Sequence, residues 1–216
     1  IARQLEIEKP IIAASGAQVY IPKDKKDIFD HRLPANFVKE LYELCNLSRC
    51  IATVTIDTDV ILKLDGQPDM SLLPDEMVWV PQLDTNQHKQ PRIAAIQGTG
   101  VVKEIKEVLG PKYKNEVNIY DSIGPNGKLV ITITASAANK GKALLACCQH
   151  MDIDPDTVVT FGDAENDIEM FKVSGASVAM GQATASIKAA ATHVTGNNTD
   201  HGVASAIDKL LKTGQL

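Results

Sequence analysis

The segment TVVTFGDAENDIEM, residues 157–170, runs from uncharged β-formers into Gly162 and then places Asp163, Glu165, Asn166, Asp167 and Glu169 within seven positions. Two kinds of chemistry fit this crowding. Asp163 suits an N-cap, and Glu165 and Asp167 favour the positive end of a helix. Alternatively, Asp163 and Asn166 project from a strand–helix corner toward a ligand. A hard cation such as Mg²⁺ takes carboxylate oxygens and needs few protein ligands when a phosphate completes its shell. Asn166 offers an amide donor to phosphate oxygen without adding negative charge. Asp167, four residues after Asp163, lies in reach to orient a metal-bound water or a lysine. Lys140, followed by Gly141 at the mouth of a predicted helix, supplies that lysine. Its ammonium would neutralise a phosphoryl group, although a solvated helix-start residue reads the same way.

The elements that must position these groups alternate over the last third of the chain. The spacing predicts a helix over 140–151, a strand over 158–161, a helix over 165–173, a strand over 176–180, a helix over 183–191, a strand over 193–195 and a helix over 203–212. Such alternation makes βαβ units and a mainly parallel sheet, and ligands of parallel sheets bind beyond the carboxyl ends of the strands. The acid cluster occupies such an end. The middle reads differently, with a helix over 37–46, strands over 50–56, 60–64, 76–80 and 92–98, a helix over 100–110, and strands over 116–122 and 128–136. Two units are therefore expected: an α/β core from 1–32 and 128–216, and an inserted α+β lobe over 33–127. The charge run KDKKD, residues 23–27, reads as a solvated turn.

Composition narrows the function classes. A net charge of −5 and a pI near 5.5 argue against a nucleic-acid or anionic-membrane surface. No apolar run approaches a membrane span, and IARQLEIEKP has neither a signal-peptide layout nor an initiator Met. A processed or truncated product is expected. Cys45 and Cys50 are five apart and Cys147 and Cys148 are adjacent, without a C-x-x-C spacing, so these read as reduced packing residues of a cytoplasmic protein.

Taken in order, NKGKAL, VVTFGDAENDIEMF and SVAMGQATASIKAAATHVTGNNTDHGVASAI resemble the C-terminal half of the haloacid dehalogenase superfamily, and within it the Cof-type phosphatases with a large α+β cap. KPIIAASGAQVY, residues 9–20, resembles the strand-plus-NGA segment preceding that cap, with Ser15 where Asn is usual. The resemblance implies a Rossmann-like α/β core with an inserted cap and a Mg²⁺-dependent phosphomonoester hydrolase. Its substrates would be small phosphorylated metabolites such as sugar phosphates. It implies Lys140 as phosphate-binding lysine, Asp163 as metal-ligating acid, Asn166 as phosphate-contacting amide, and Asp167 as the second acid at the metal site. Gln182 replaces the Asn of an M-x-N-A loop, which puts a role for it in doubt, and His201 reads as a solvated loop histidine. A related phosphomutase would use the same core.

That chemistry begins on an aspartate of a strand-borne D-x-D motif. Asp57 and Asp59 have the spacing, but they fall in the cap-like region after SGA rather than before it. The nucleophile is therefore expected in a segment upstream of this chain, which alone would be inactive. The alternative is a nucleophile-free module that binds a phosphorylated ligand.

Overall fold

The computed structural model describes residues 6–85, 89–124 and 127–216. The first elements are short strands, β1 (Ile11–Ala13), β2 (Gln18–Ile21) and β3 (Lys26–Asp30), forming a sheet in the order β1-β2-β3. Between β1 and β2 the residues Ala14, Ser15 and Gly16 all have positive φ, at 49°, 54° and 91°. A side chain pays about 1–2 kcal/mol in that region, and Asn tolerates it better than Ser. The charge run expected as a turn is only partly one, because Lys26 opens β3.

The chain then divides into two compact units, one comprising Ala13–Gln18 and Phe29–Ala138, the other the stretch ending at Ile12 with Val19–Ile28 and Asn139–Leu216. The first is an α+β unit. Helix α1 (Ala35–Leu47) is followed by β4 (Ile51–Ile56), β5 (Asp59–Lys63), β6 (Met77–Val80) and β7 (Ile93–Gln97). Helix α2 (Thr99–Glu104) runs through a π-helical stretch, Ile105–Leu109, into a last turn, α3 (Gly110–Lys112), before β8 (Val117–Ile123) and β9 (Leu129–Ala135). These strands make one six-stranded sheet in the order β6-β5-β4-β7-β9-β8. Pairing is antiparallel except between β5 and β6. Alternation along the strands buries Ala52, Val54, Ala94, Ile96, Ile131 and Ile133 in one cluster with Phe37, Leu41 and Cys45 of α1 and Val101 and Ile105 of the second helix. Burial of these faces supplies the main stabilisation.

The predicted border at 127/128 moves to 138/139. Strand β9 pairs with β7 over Ile93–Gln97 and with β8 over Val117–Ile123, so it belongs to the inserted unit by hydrogen bonding. The D-x-D spacing of Asp57 and Asp59 is the turn between β4 and β5, with Asp57 at φ 51°.

A buried arginine ties the entry of this unit to that turn. Arg92, 2% exposed, donates to both oxygens of Asp30 at 2.7 and 3.1 Å and to the backbone oxygen of Asp57 at 2.9 Å. Arg32 bridges the Asp30 and Asp57 carboxylates at 3.0 and 2.6 Å. Burial would raise the Asp30 carboxyl, but the hydrogen bonds from Arg92 and Arg32 outweigh it and hold it below the usual range. Hydrogen bonding from Arg32 does the same for Asp57.

The other unit is α/β. It runs α4 (Lys140–Met151), β10 (Val159–Gly162), a 3₁₀ turn Glu165–Asp167 continuing into α5 (Ile168–Phe171), β11 (Ala176–Ala179), α6 (Ala185–Ala190), β12 (His193–Val194) and α7 (Gly202–Thr213). Its strands form a parallel sheet, β10-β11-β12, with Gly162 beside Ala179 and Ala179 beside Val194. The three carboxyl ends therefore lie side by side.

Two outcomes follow. Because the depressed Asp30 and Asp57 carboxyls contribute stability above the ordinary carboxylate value near pH 4, that contribution should drain away as pH falls through their lower folded values. Asp30→Asn should cost about 2–3 kcal/mol at neutral pH by leaving Arg92 short of its partner, and should flatten the acid limb of the thermal-melt profile. Ser15→Asn should raise the melting temperature, by up to about 1 kcal/mol of stability, since it relieves part of the left-handed strain.

Candidate active site

At the carboxyl end of β10 the backbone must turn tightly around a buried carboxylate. Asp167, 3% exposed, places Oδ2 against the backbone N–H groups of Asp163 at 2.9 Å and Ala164 at 3.0 Å. A Cβ on Gly162 would lie 2.4 Å from the Asp167 Cβ and 2.7 Å from its Oδ2. Only glycine leaves room for the acid there.

The other oxygen, Oδ1, accepts from Lys140 Nζ at 2.5 Å. Lys140 reaches it from the first turn of α4, where Asn139 caps the helix by accepting from the Lys142 N–H at 2.8 Å. Close packing sets the approach: a Cβ on Gly141 would come within 2.3 Å of the Glu169 backbone oxygen. An unpaired buried carboxylate costs several kcal/mol, and three donors remove that penalty. The Lys140 side chain stays 27% exposed, so the remaining donors of its ammonium face outward.

Around this pair stand the other groups that the sequence singled out. Asp163 is exposed, and its Oδ2 accepts from Gln182 Nε2 at 3.0 Å. Gln182 Oε1 in turn accepts from the Asn198 N–H at 2.9 Å. The loops after β10, β11 and β12 are thus joined through one side chain. Asn166 carries a buried amide oxygen with no hydrogen-bond partner. Buried polar atoms are almost always paired; an amide oxygen calls for a donor, so the phosphate contact expected of Asn166 would come from its Nδ2. His201 is exposed, with φ 55°, just before α7.

The structure thus brings together Lys140, Asp163, Asn166 and Asp167. Two of the expected residues gain a definite geometry. Asp167, expected beside Asp163 as a metal ligand, accepts on both oxygens from protein donors, which fixes Lys140 and the loop. Gln182, doubted because Asn was expected there, orients Asp163; the signal for it was its place in MGQA, not its residue type. Asp57 and Asp59 stay in the other unit, where Asp57 pairs with Arg32 at 2.6 Å and with Lys89 at 3.3 Å.

As a cation site the donor set is sparse. Among the described residues no three His, Cys, Asp or Glu side chains converge. Asp163 is exposed with Oδ2 engaged by Gln182, which suits an ion that takes one or two carboxylates and fills its shell from water and phosphate. Magnesium fits that description better than zinc, which wants four protein ligands or three and a water.

Residues 1–207 match the haloacid dehalogenase-like hydrolases as a family. A 5-amino-6-(5-phospho-D-ribitylamino)uracil phosphatase of Bacillus subtilis is 26% identical over 207 residues, 94% of this chain and 76% of that protein. A phosphoglycolate phosphatase of Methanopyrus kandleri is 36% identical over 101 residues, 44% of each chain, so this alignment spans less than half of that relative. Among solved structures, a sugar phosphatase of subclass IIB superposes with a TM-score of 0.76 at 20% identity, over 97% of this chain and 78% of that one. That likeness speaks to fold, and it agrees with an α/β core carrying an α+β insertion. With the family match over nearly its whole length and the Lys140–Asp167 geometry at the strand ends, the chain belongs to the haloacid dehalogenase-like hydrolases.

Proposed function

We propose that this chain carries the phosphate- and metal-binding half of a phosphomonoester phosphatase acting on small phosphorylated metabolites. The observation that carries the reading is the Lys140–Asp167 pair, which fixes a partly exposed lysine at the strand end that also carries the exposed Asp163. Lys140 and Asn166 bind the phosphoryl group and stabilise charge on its oxygens, which is most of what phosphoryl transfer asks of a protein. Asp163, oriented by Gln182, holds Mg²⁺, which when bound supplies positive charge against the phosphate. Asp167 holds Lys140 in position. The names of the relatives support small substrates of the phosphoglycolate, phosphoribityl and sugar-phosphate kinds.

The phosphoryl acceptor in this reading is a D-x-D aspartate that residues 1–216 do not place at the site, since their Asp57–Asp59 pair is bound into a hairpin turn of the other unit. That observation also favours a second reading, in which the chain binds a phosphorylated ligand without turning it over.

Calorimetry with inorganic phosphate and Mg²⁺, paired with phosphate release from a panel of small phosphomonoesters, separates the two. Turnover that requires Mg²⁺ supports the phosphatase; Mg²⁺-dependent binding without turnover supports the second reading; absence of both sinks each. In any form of the protein that turns over, Lys140→Ala should lower kcat/KM by about 10²–10³-fold. Asp163→Asn should weaken Mg²⁺ binding by at least about tenfold while leaving the melting temperature nearly unchanged. Asp167→Asn should do the opposite, costing about 2–4 kcal/mol of stability because a buried, paired carboxylate is lost.

A further inference from the structure

The α+β unit contains a second chemical cluster, far from any role in the reading above. Lys63, at the end of β5, is 2% exposed, an unusual fate for a lysine. Its Nζ donates to the Ser48 backbone oxygen at 2.9 Å and to Asp65 Oδ1 at 2.8 Å, and lies 3.7 Å from Cys50 Sγ. Cys50 opens the turn into β4, and as a neutral thiol it donates to the Cys45 backbone oxygen at 3.4 Å. Cys45 itself is fully buried on α1, with its backbone oxygen in contact with the Cys50 sulfur. Two sulfurs and a buried cation therefore meet where α1 hands over to β4.

This cluster opens outward. Cys50 lines a cleft of about 750 Å³ with Arg49, Lys103, Lys106, Lys128 and Asp65, and Lys106 also pairs with Asp121 at 2.8 Å. The cleft admits a molecule of tripeptide size, and its lining of four cations against one acid favours an anionic one. Packing alone would ask for two inert thiols. It would not place a buried ammonium against one of them.

We propose that Cys50 and Cys45 form a redox-active pair: the Cys50 sulfur, entered through the cationic cleft and held beside Lys63, attacks a small anionic disulfide, and Cys45 resolves the product. In the first step Cys50 thiolate forms a bond to one sulfur of the small disulfide and expels the other as a thiolate. In the second, the Cys45 sulfur attacks the Cys50 sulfur and expels the second small thiolate, which takes up the Cys45 proton as it leaves. The protein dithiol is oxidised by two electrons and the small disulfide is reduced to two thiols. The two sulfurs are polarised accordingly. The Cys45 hydrogen bond, reinforced by Lys63, outweighs burial and lowers the Cys50 thiol to about 7, whereas Cys45 is held far above the usual thiol range. The remaining cysteines offer an internal contrast. Burial raises Cys147 to about 11 and also raises Cys148, with no cation beside either.

The test uses the reduced 216-residue protein and oxidised glutathione. Tryptic cleavage after Arg49 separates Cys45 from Cys50, so their disulfide should hold two peptides together until a reductant is added. Cys45→Ser should stop the sequence at a mixed disulfide on Cys50, and Cys50→Ser should leave Cys45 unmodified. Lys63→Met should slow the first step on the order of tenfold by raising the thiol. Should that variant fail to fold, alkylation of wild-type Cys50 across pH decides: a half-maximal rate near pH 7 supports the pair, and one at the ordinary thiol value near 8.5 overturns it. Glutathione appearing first on Cys147 or Cys148, or no linked peptide at all, would overturn it as well.

Discussion

A carboxylate without water must be given its donors by the protein, and the α/β unit is arranged around that requirement at Asp167. Two of the donors are backbone N–H groups of the loop that follows β10, and the third is the ammonium of Lys140 from a different strand–helix unit. Satisfying one buried acid therefore fixes three things together: the path of the loop, the entry angle of α4 and the position of a cation at the sheet edge. Asp163 is carried to the surface by the same turn. The arrangement of this sheet edge follows from neutralising an interior charge.

The α+β unit meets the same physical problem in mirror image. Its interior charges are cations, Arg92 and Lys63, each 2% exposed. Arg92 is met by a partly exposed carboxylate and a backbone oxygen at the end where the chain enters the unit. Lys63 is met by Ser48 and Asp65 at the far end of the neighbouring strand pair, next to the thiols. Between them lies a sheet whose two ends are held electrostatically while its middle is held by aliphatic packing.

Much of the α/β unit was legible in the sequence because its signals are local. Lys140-Gly141 and the spacing of Asp163, Asn166 and Asp167 come from single strand–helix corners, and each observed helix and strand there lies within a residue or two of its periodicity. What escaped was set by pairing between distant segments. The stretch 128–136 reads as a strand in either unit, and only its ladder with β7 and β8 assigns it to the insertion. Lys63 and Arg92 could not be distinguished from surface charges, since the partners that make burial tolerable are 15 and 62 residues away in sequence. The acid–acid spacing at Asp167 carries no record of which oxygens the backbone has already claimed. Gln182 was discounted on its identity, although a glutamine amide can both donate to Asp163 and accept from Asn198, as it does here.

Gly162 and Gly141 carry a consequence for how this protein can vary. At both positions the first carbon of any side chain would collide with fixed neighbours, the Asp167 carboxylate at one and the Glu169 backbone at the other. Asp163, by contrast, is exposed. At this edge the glycines are therefore the immovable positions, whereas an exposed residue such as Asp163 can be exchanged without unfolding the chain. A lineage could drift from one reaction to another, or lose catalysis altogether, while keeping this scaffold unaltered.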